Sequence, residues 1–204
     1  MNKIWFCFLL LLSCKTYAQT IQLLDSNTSI SIRGLSVVND SIIWASGSKG
    51  TIARSVNGGK TFQWITVKGY EKRDFRDIEA FDAYNAVIMA VDSPGLILKT
   101  TDGGKSWLKV FEDHRTGIFL DAMEFWNDNS GIVVGDPIDG KIVIARTFDG
   151  GKTWRGLPET NYPAAEKGEA MFASSGTNIV KLNNQEAVFV TGGTFSRLFV
   201  RDKK

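Results

Sequence analysis

Apolar residues fall along this chain in short runs of four to six positions, bounded by glycine and polar turns, rather than at helical spacing. Ala86 to Val91 and Gly131 to Gly135 are apolar at nearly every consecutive position, which is the signature of a strand buried on both faces. Ser41 to Ala45 and Ala187 to Thr191 occupy comparable places. Thr51 to Arg54, Leu96 to Lys99 and Ile142 to Arg146 are also β-rich, and each ends in a basic or polar residue immediately before a turn. No amphipathic helix of useful length is visible, and Tyr162 to Gly168 is expected to be a loop or a single turn. The pattern predicts an essentially all-β chain of consecutive hairpins.

The turns repeat. Ser55-Val56-Asn57-Gly58-Gly59-Lys60-Thr61-Phe62 is followed by Thr100-Thr101-Asp102-Gly103-Gly104-Lys105-Ser106-Trp107 and by Thr147-Phe148-Asp149-Gly150-Gly151-Lys152-Thr153-Trp154. Spacings of 45 residues from Asn57 to Asp102 and 47 from Asp102 to Asp149 match one four-stranded propeller blade. In each copy the Asn or Asp side chain is suited to accept backbone N–H groups inside the turn, and glycine supplies positive φ without a Cβ clash. The hydroxyls of Thr61, Ser106 and Thr153 are placed to join that network. Phe62, Trp107 and Trp154 are expected to fold the outer strand onto the blade interior. Three copies argue that these aspartates build the fold rather than act as catalytic acids or calcium ligands.

First strands recur in phase as Ile32-Arg33-Gly34-Leu35, Phe75-Arg76-Asp77-Ile78, Phe119-Leu120-Asp121-Ala122 and a looser Glu169-Ala170-Met171-Phe172. Four blades are expected, at approximately 26–68, 69–112, 113–158 and 159–204, forming one propeller domain over residues 19–204. Phe195 to Phe199 would be the third strand of the last blade, and Asp202 would take the box aspartate position. The fourth blade is expected to be incomplete and the chain to be part of a larger ring, since propellers close with about four to eight blades.

Composition narrows the function. Basic and acidic side chains number 24 and 22, with 43% hydrophobic residues, 20 Gly and 4 Pro, which excludes a disordered or polybasic arm and a Pro-rich linker. The apolar run Ile4 to Leu12 follows Lys3 and is too short for a bilayer span; with Thr16-Tyr17-Ala18 it reads as an export signal over residues 1–18, cut before Gln19. A second reading takes Leu11-Leu12-Ser13-Cys14 as a lipobox that anchors the chain through a lipid on Cys14. Removal of residues 1–18 takes Lys3, Lys15 and both cysteines, leaving a formally neutral chain without thiols. No disulfide, thiolate metal site, nucleic-acid partner or cofactor is expected, and no Gly-x-Gly-x-x-Gly or haem-attachment motif occurs.

The box Ser/Thr-x-Asp/Asn-Gly-Gly-Lys-Thr/Ser-aromatic resembles the Asp-box, or bacterial neuraminidase repeat, of sialidases, sortilin-type receptors and photosystem II stability and assembly factor-like proteins. Over residues 26 to 204 the chain is most similar to the last group, exported bacterial proteins with segments like Gly135-Asp136-Pro137-Ile138-Asp139-Gly140 before the third box. That resemblance implies a propeller of six or seven blades serving as an assembly or interaction platform for an envelope or secreted protein, with no established chemistry. The enzymatic alternative is a sialidase-like glycosidase. Such enzymes need an arginine triad, a Tyr nucleophile with its Glu partner and an Asp acid; the arginine motif Phe/Tyr-Arg-Ile-Pro is absent, Ser31-Ile32-Arg33-Gly34 being the nearest segment.

Binding candidates remain. Arg33 and Arg76 share a blade position and are candidates to grip an anionic group, against a reading as solvated rim residues. Asp77, Asp121 and Glu169 are read as sharing a position lining the axis, where carboxylates do acid and base work, pair with arginine or hold a cation. His114, the one histidine, lies in the charged loop Glu112 to Arg115 and is expected to be exposed. Trp44, Trp64, Trp126, Phe81 and Phe125 are read as blade-packing aromatics, and the insertion Pro158 to Ser175 as a partner-specific surface.

Overall fold

The computed structural model describes residues 20–25, 29–172 and 177–200; the segment 1–18 with Cys14, and Asp202, lie outside them. Strands β1 (Ile32–Val37), β2 (Ile43–Gly47), β3 (Thr51–Ser55) and β4 (Gln63–Thr66) form an antiparallel sheet in sequence order. The same meander recurs as β5 (Phe75–Ala80), β6 (Ala86–Ala90), β7 (Gly95–Thr100) and β8 (Leu108–Asp113), and as β9 (Leu120–Phe125), β10 (Gly131–Ile138), β11 (Lys141–Thr147) and the two-residue β12 (Arg155–Gly156). After a 3-10 turn at Glu159–Asn161, a fourth unit contains β13 (Glu169–Ala170), β14 (Ile179–Asn183), β15 (Glu186–Val190), β16 (Gly192–Gly193) and β17 (Leu198–Val200). First strands of successive sheets are neighbours, β1 with β5, β5 with β9 and β9 with β14, so the sheets fan around a common axis as blades of a partial β-propeller. Among the described residues no helix is long and apolar enough to cross a membrane.

Each of the three cores lies between blades, which explains why the second strands read as continuously apolar. Trp44 and Ile52 of blade one meet Ile78, Ile88 and Leu98 of blade two; Val87, Met89 and Ile97 on the other face of blade two meet Met123, Val133 and Trp154 of blade three. Ile132, Val134 and Ile144 then meet Ile179, Ala187 and Phe189 of blade four. All five residues of β6 are buried, because one strand serves two cores. Trp44, Trp126 and Phe125 are buried and Phe81 packs edge-on against Phe125, while Trp64 donates its indole N–H to Asp25 at 2.9 Å.

Each box closes its blade by the same bonds. In the third, Gly151 N donates to Thr147 Oγ1 and Thr153 N to Asp149 Oδ1, both at 2.9 Å, while Thr153 Oγ1 donates to Asp149 Oδ2 at 2.6 Å. Thr100, Asp102, Gly104 and Ser106 repeat this arrangement. In the first box Ser55, Gly59 and Thr61 keep the backbone bonds, but Asn57 donates its amide to Thr61 Oγ1 at 2.9 Å, as its chemistry requires. The second glycine is a steric necessity: Gly151 has φ of +78°, and a Cβ there would sit 2.9 Å from Val87 of the preceding blade. Hydrogen bonds from Ser106 push the Asp102 pKa down to about 2; at Asp149 burial works upward, but bonds from Thr153 and Thr147 prevail and hold it at about 2.

Blade four departs from the expected strands. Its inner strand is split: Glu169–Ala170 pairs with Gly192–Gly193, and the main pairing is made by β14, which registers Val180 against Val188. Met171 to Asn178 separates the two pieces. The third strand is Leu198–Val200 rather than Phe195 to Phe199, since Phe199 must stack on Phe189, with ring centroids 4.7 Å apart, to reach the core.

Candidate binding site at the inner strands

The inner strands carry the charged residues. Register breaks between Ile32 and Gly34 in β1, and between Phe75 and Asp77 in β5, leave Arg33 and Arg76 at matching bulges. A bulged residue leaves the alternation of its strand and is re-aimed at the sheet margin. Both guanidinium groups converge on Asp74: Arg33 Nη2 and Arg76 Nε each lie 3.7 Å from its Oδ2. These are ion-pair distances too long for hydrogen bonds, and Arg76 Nε has no hydrogen-bond partner among the described residues. The Arg76 guanidinium also lies 5.7 Å over the Phe119 ring.

The three carboxylates read as one position separate in the structure. The pairing of Leu120 with Gly135 and Ala122 with Val134 leaves Asp121 at the bulge, aligned with Arg33 and Arg76 and one residue out of phase with Asp77. Asp77 instead turns to the neighbouring blade, where Met123 N donates to its Oδ2 at 2.7 Å. Glu169 has another role: it is buried, accepts from Arg197 Nε at 2.9 Å and from the Thr191 hydroxyl, and the Arg197 bonds hold its pKa down at about 2. Asp136 repeats the Asp77 device between blades three and four, accepting from Met171 N at 2.9 Å.

Sequence reading missed Asp74, Glu79, Glu124, Asp136 and Arg197. The signal for Glu79 and Glu124 was available, since each is an acid between two apolar residues three positions beyond the bulge, Ile78 and Ala80 for one, Met123 and Phe125 for the other. Burial pushes the Asp77 pKa up to about 7 against the bonds from Met123 and Ile78; burial and the charges of Asp77 and Glu124 push Glu79 up to about 9. Burial also raises Glu124. A carboxyl with a raised folded pKa binds more protons folded than unfolded, so its contribution falls as pH rises from the unfolded value toward the folded one. Glu79→Gln is therefore expected to raise the urea midpoint at pH 8 to 9 and to leave it nearly unchanged at pH 4; equal shifts at both would show that burial does not govern this group.

Among the described residues no group of three His, Cys, Asp or Glu side chains is arranged to hold a metal ion. His114 lies at the end of β8 with its side chain 73% exposed, 3.4 Å from Glu112. What the inner strands offer is an arginine pair sharing one carboxylate, Asp74.

A family described as photosynthesis system II assembly factor YCF48 matches residues 15–117, half of this chain. Among solved structures the chain is similar to YCF48 bound to D1 peptide, with 21% identity and a TM-score of 0.57 over 87% of this chain and 55% of that one. It is similar also to YCF48 from Cyanidioschyzon merolae, with 16% identity and a TM-score of 0.56 over 88% of this chain and 59% of that one. An ancestral GH74 enzyme has 15% identity and a TM-score of 0.54 over 88% of this chain but 25% of its own. At these identities the likeness shows the fold alone. The chain spans between 55% and 59% of the length of the two YCF48 structures. No curated protein matches. The blades, the three boxes and a family match over half its length agree, and the chain belongs to the YCF48 photosystem II assembly factor family.

Proposed function

We propose that the protein is a non-catalytic binding platform that grips an acidic group of a partner polypeptide at the Arg33 and Arg76 rim, and that it works in the bacterial envelope after export. The observation that carries this reading is the convergence of two arginines from successive blades on one oxygen of Asp74, with Arg76 Nε left without a hydrogen bond. Arginine suits the task because its planar donors match a carboxylate in a fork. A carboxylate arriving at this rim displaces Asp74 and gains the short bonds that Asp74 does not make. Family membership supports an assembly role, and the solved relative bound to D1 peptide supports a polypeptide as the ligand class. Export rests on residues 1–18, and N-terminal sequencing of the mature protein distinguishes cleavage before Gln19 from a lipidated Cys14. The glycosidase alternative rests on likeness of fold alone.

Titration with peptides ending in a free carboxylate tests the reading. Arg33→Ala and Arg76→Ala are each expected to weaken binding by about tenfold, as loss of a charge-assisted bond does, while Lys at either position restores only part of it. Equal affinity for amidated and free peptides would overturn the rim assignment. Turnover of a fluorogenic sialoside that Arg33→Ala abolishes would replace the platform with a glycosidase.

A further inference from the structure

The three boxes differ in the chemistry of a single atom. In the second and third, Asp102 Oδ1 and Asp149 Oδ1 accept from a backbone N–H and a hydroxyl of the turn, and the outer oxygen takes the hydroxyl of Ser106 at 2.5 Å or of Thr153 at 2.6 Å. Asn57 Oδ1 keeps the first set, accepting from Thr61 N and from the Ser55 hydroxyl, both at 3.0 Å. The outer place is held by its amide nitrogen, which can only donate, so the bond to Thr61 Oγ1 runs in the opposite direction at 2.9 Å. An oxygen in place of that nitrogen would give the first box the hydrogen bonds of the other two.

The residue after Asn57 makes that exchange chemically accessible. Asn57-Gly58 is the one Asn-Gly pair in the 204-residue sequence. A backbone nitrogen that attacks the preceding asparagine side chain closes a small imide ring, and glycine, with no side chain, leaves that nitrogen uncrowded. Asn57 is exposed and Gly58 half-buried, with φ of +69° in a turn that strains other residue types. One contact restrains the reaction. Gly58 N donates to Ser41 O at 2.9 Å and must leave that bond before it attacks, so the chemistry waits on opening of the blade-one turn.

We propose that Asn57-Gly58 is a self-modification site, where the Gly58 nitrogen attacks the Asn57 side-chain carbon and water then reopens the ring to an aspartate that completes the box. The bond from that carbon to Nδ2 breaks, the Gly58 amide proton leaves with the nitrogen as ammonia, and one water is consumed, so the net change is hydrolysis of an amide to a carboxylate. The new carboxylate accepts the Thr61 hydroxyl as Asp102 and Asp149 accept theirs, and a charged acceptor makes a stronger bond than a neutral one. Bonds from Ser106 lower Asp102, and at Asp149 burial is outweighed by the bonds of Thr153, so both are held at a pKa of about 2 and the product is expected to stay ionised as they do. The site goes beyond the arginine rim and uses none of its residues.

The test holds the full chain in mildly alkaline buffer and maps it by mass spectrometry. Residue 57 is expected to gain the mass of an amide-to-acid change before any other asparagine, and about fivefold faster in urea, where the Gly58 amide is released from Ser41 O. Asn57→Asp, the product made directly, is expected to raise the thermal midpoint by about 3 °C at neutral pH, the shift that one charge-assisted bond gives a chain of this size. That gain is expected to fade as pH falls from the ordinary carboxylate value toward the value of about 2 seen at Asp102 and Asp149, since a carboxyl with a lowered folded pKa stabilises only while ionised. An Asn57 that stays intact, or an Asn57→Asp midpoint at or below that of the parent, would overturn the proposal. So would a product that is wholly isoaspartate, which lengthens the backbone by one atom and cannot close the box, or conversion at the same rate in urea, because the turn then restrains nothing.

Discussion

Trp154→Ala is expected to lower the unfolding free energy by about 3–5 kcal/mol, the usual cost of emptying a large aromatic site in a core. Trp154 is 7% exposed and stands edge-on to Phe125, with ring centroids 5.7 Å apart, and Phe125 meets Phe81 edge-on at 5.0 Å. Removing the indole therefore opens a void between two blades rather than within one, where relaxation would have to move a whole sheet. Its Nε1 makes no hydrogen bond among the described residues, so Trp154→Phe is expected to cost less than about 1.5 kcal/mol. The other boxes grade the result. Trp107 is only partly buried and donates to Gly104 O at 3.2 Å, and Phe62 meets Trp64 on the blade-one face that no other described blade covers, so their alanine variants are expected to cost progressively less. Urea midpoints with unchanged slopes are the measurement; equal losses at all three boxes would refute the account of the aromatic as a junction filler.

Glu169→Ala is expected to be comparably damaging, about 3–5 kcal/mol, because it breaks a largely buried ion pair inside the fourth blade, leaving Arg197 only the Ala164 carbonyl and the Thr191 hydroxyl only the distant Arg197 carbonyl. The side chain of Glu169 is fully buried while that of Arg197 is 31% exposed, so Arg197→Ala strands the deeper charge, and the double variant is expected to lose less than the two single losses combined. The pH signature has a definite sign. With a folded pKa near 2 against an ordinary value near 4.3, the pair contributes its stability above the ordinary value and loses it as pH falls toward 2. Glu169→Ala is expected to flatten that acid limb. A variant whose acid limb matches that of the parent would show that the ion pair contributes nothing.

The propeller was legible because the boxes are rigid in sequence: the turn needs one hydroxyl, one Asn or Asp and a positive-φ glycine at fixed offsets, so its period survives where strand residues drift. The inner strands were harder to read. Aligning Asp121 with Asp77 misplaced it by one residue, and a one-residue slip in a strand moves a side chain to the opposite face. Only the pairing of Leu120 with Gly135 reveals the bulge that absorbs the difference. In blade four the pattern Ile179-Val180-Lys181-Leu182 before Asn183 and Asn184 carried a hairpin signal stronger than Glu169 to Phe172, and the insertion between them broke the expected phase. The ion pair of Glu169 with Arg197 joins residues 28 apart through a turn that no local pattern announces.

The bulges at Arg33, Arg76 and Asp121 separate two jobs that a regular strand would tie together. In an unbroken strand, changing an inward residue disturbs the packing of the blade behind it; at a bulge the side chain stands outside that alternation. Of the three matched sites, Arg33 and Arg76 stay partly exposed while Asp121 is buried, so only the first two turn a charge outward. Exchanging either arginine changes the charge the scaffold offers at the cost of one contact across a blade junction, to Asp74 or to the Phe119 ring, and leaves the apolar cores between the blades untouched.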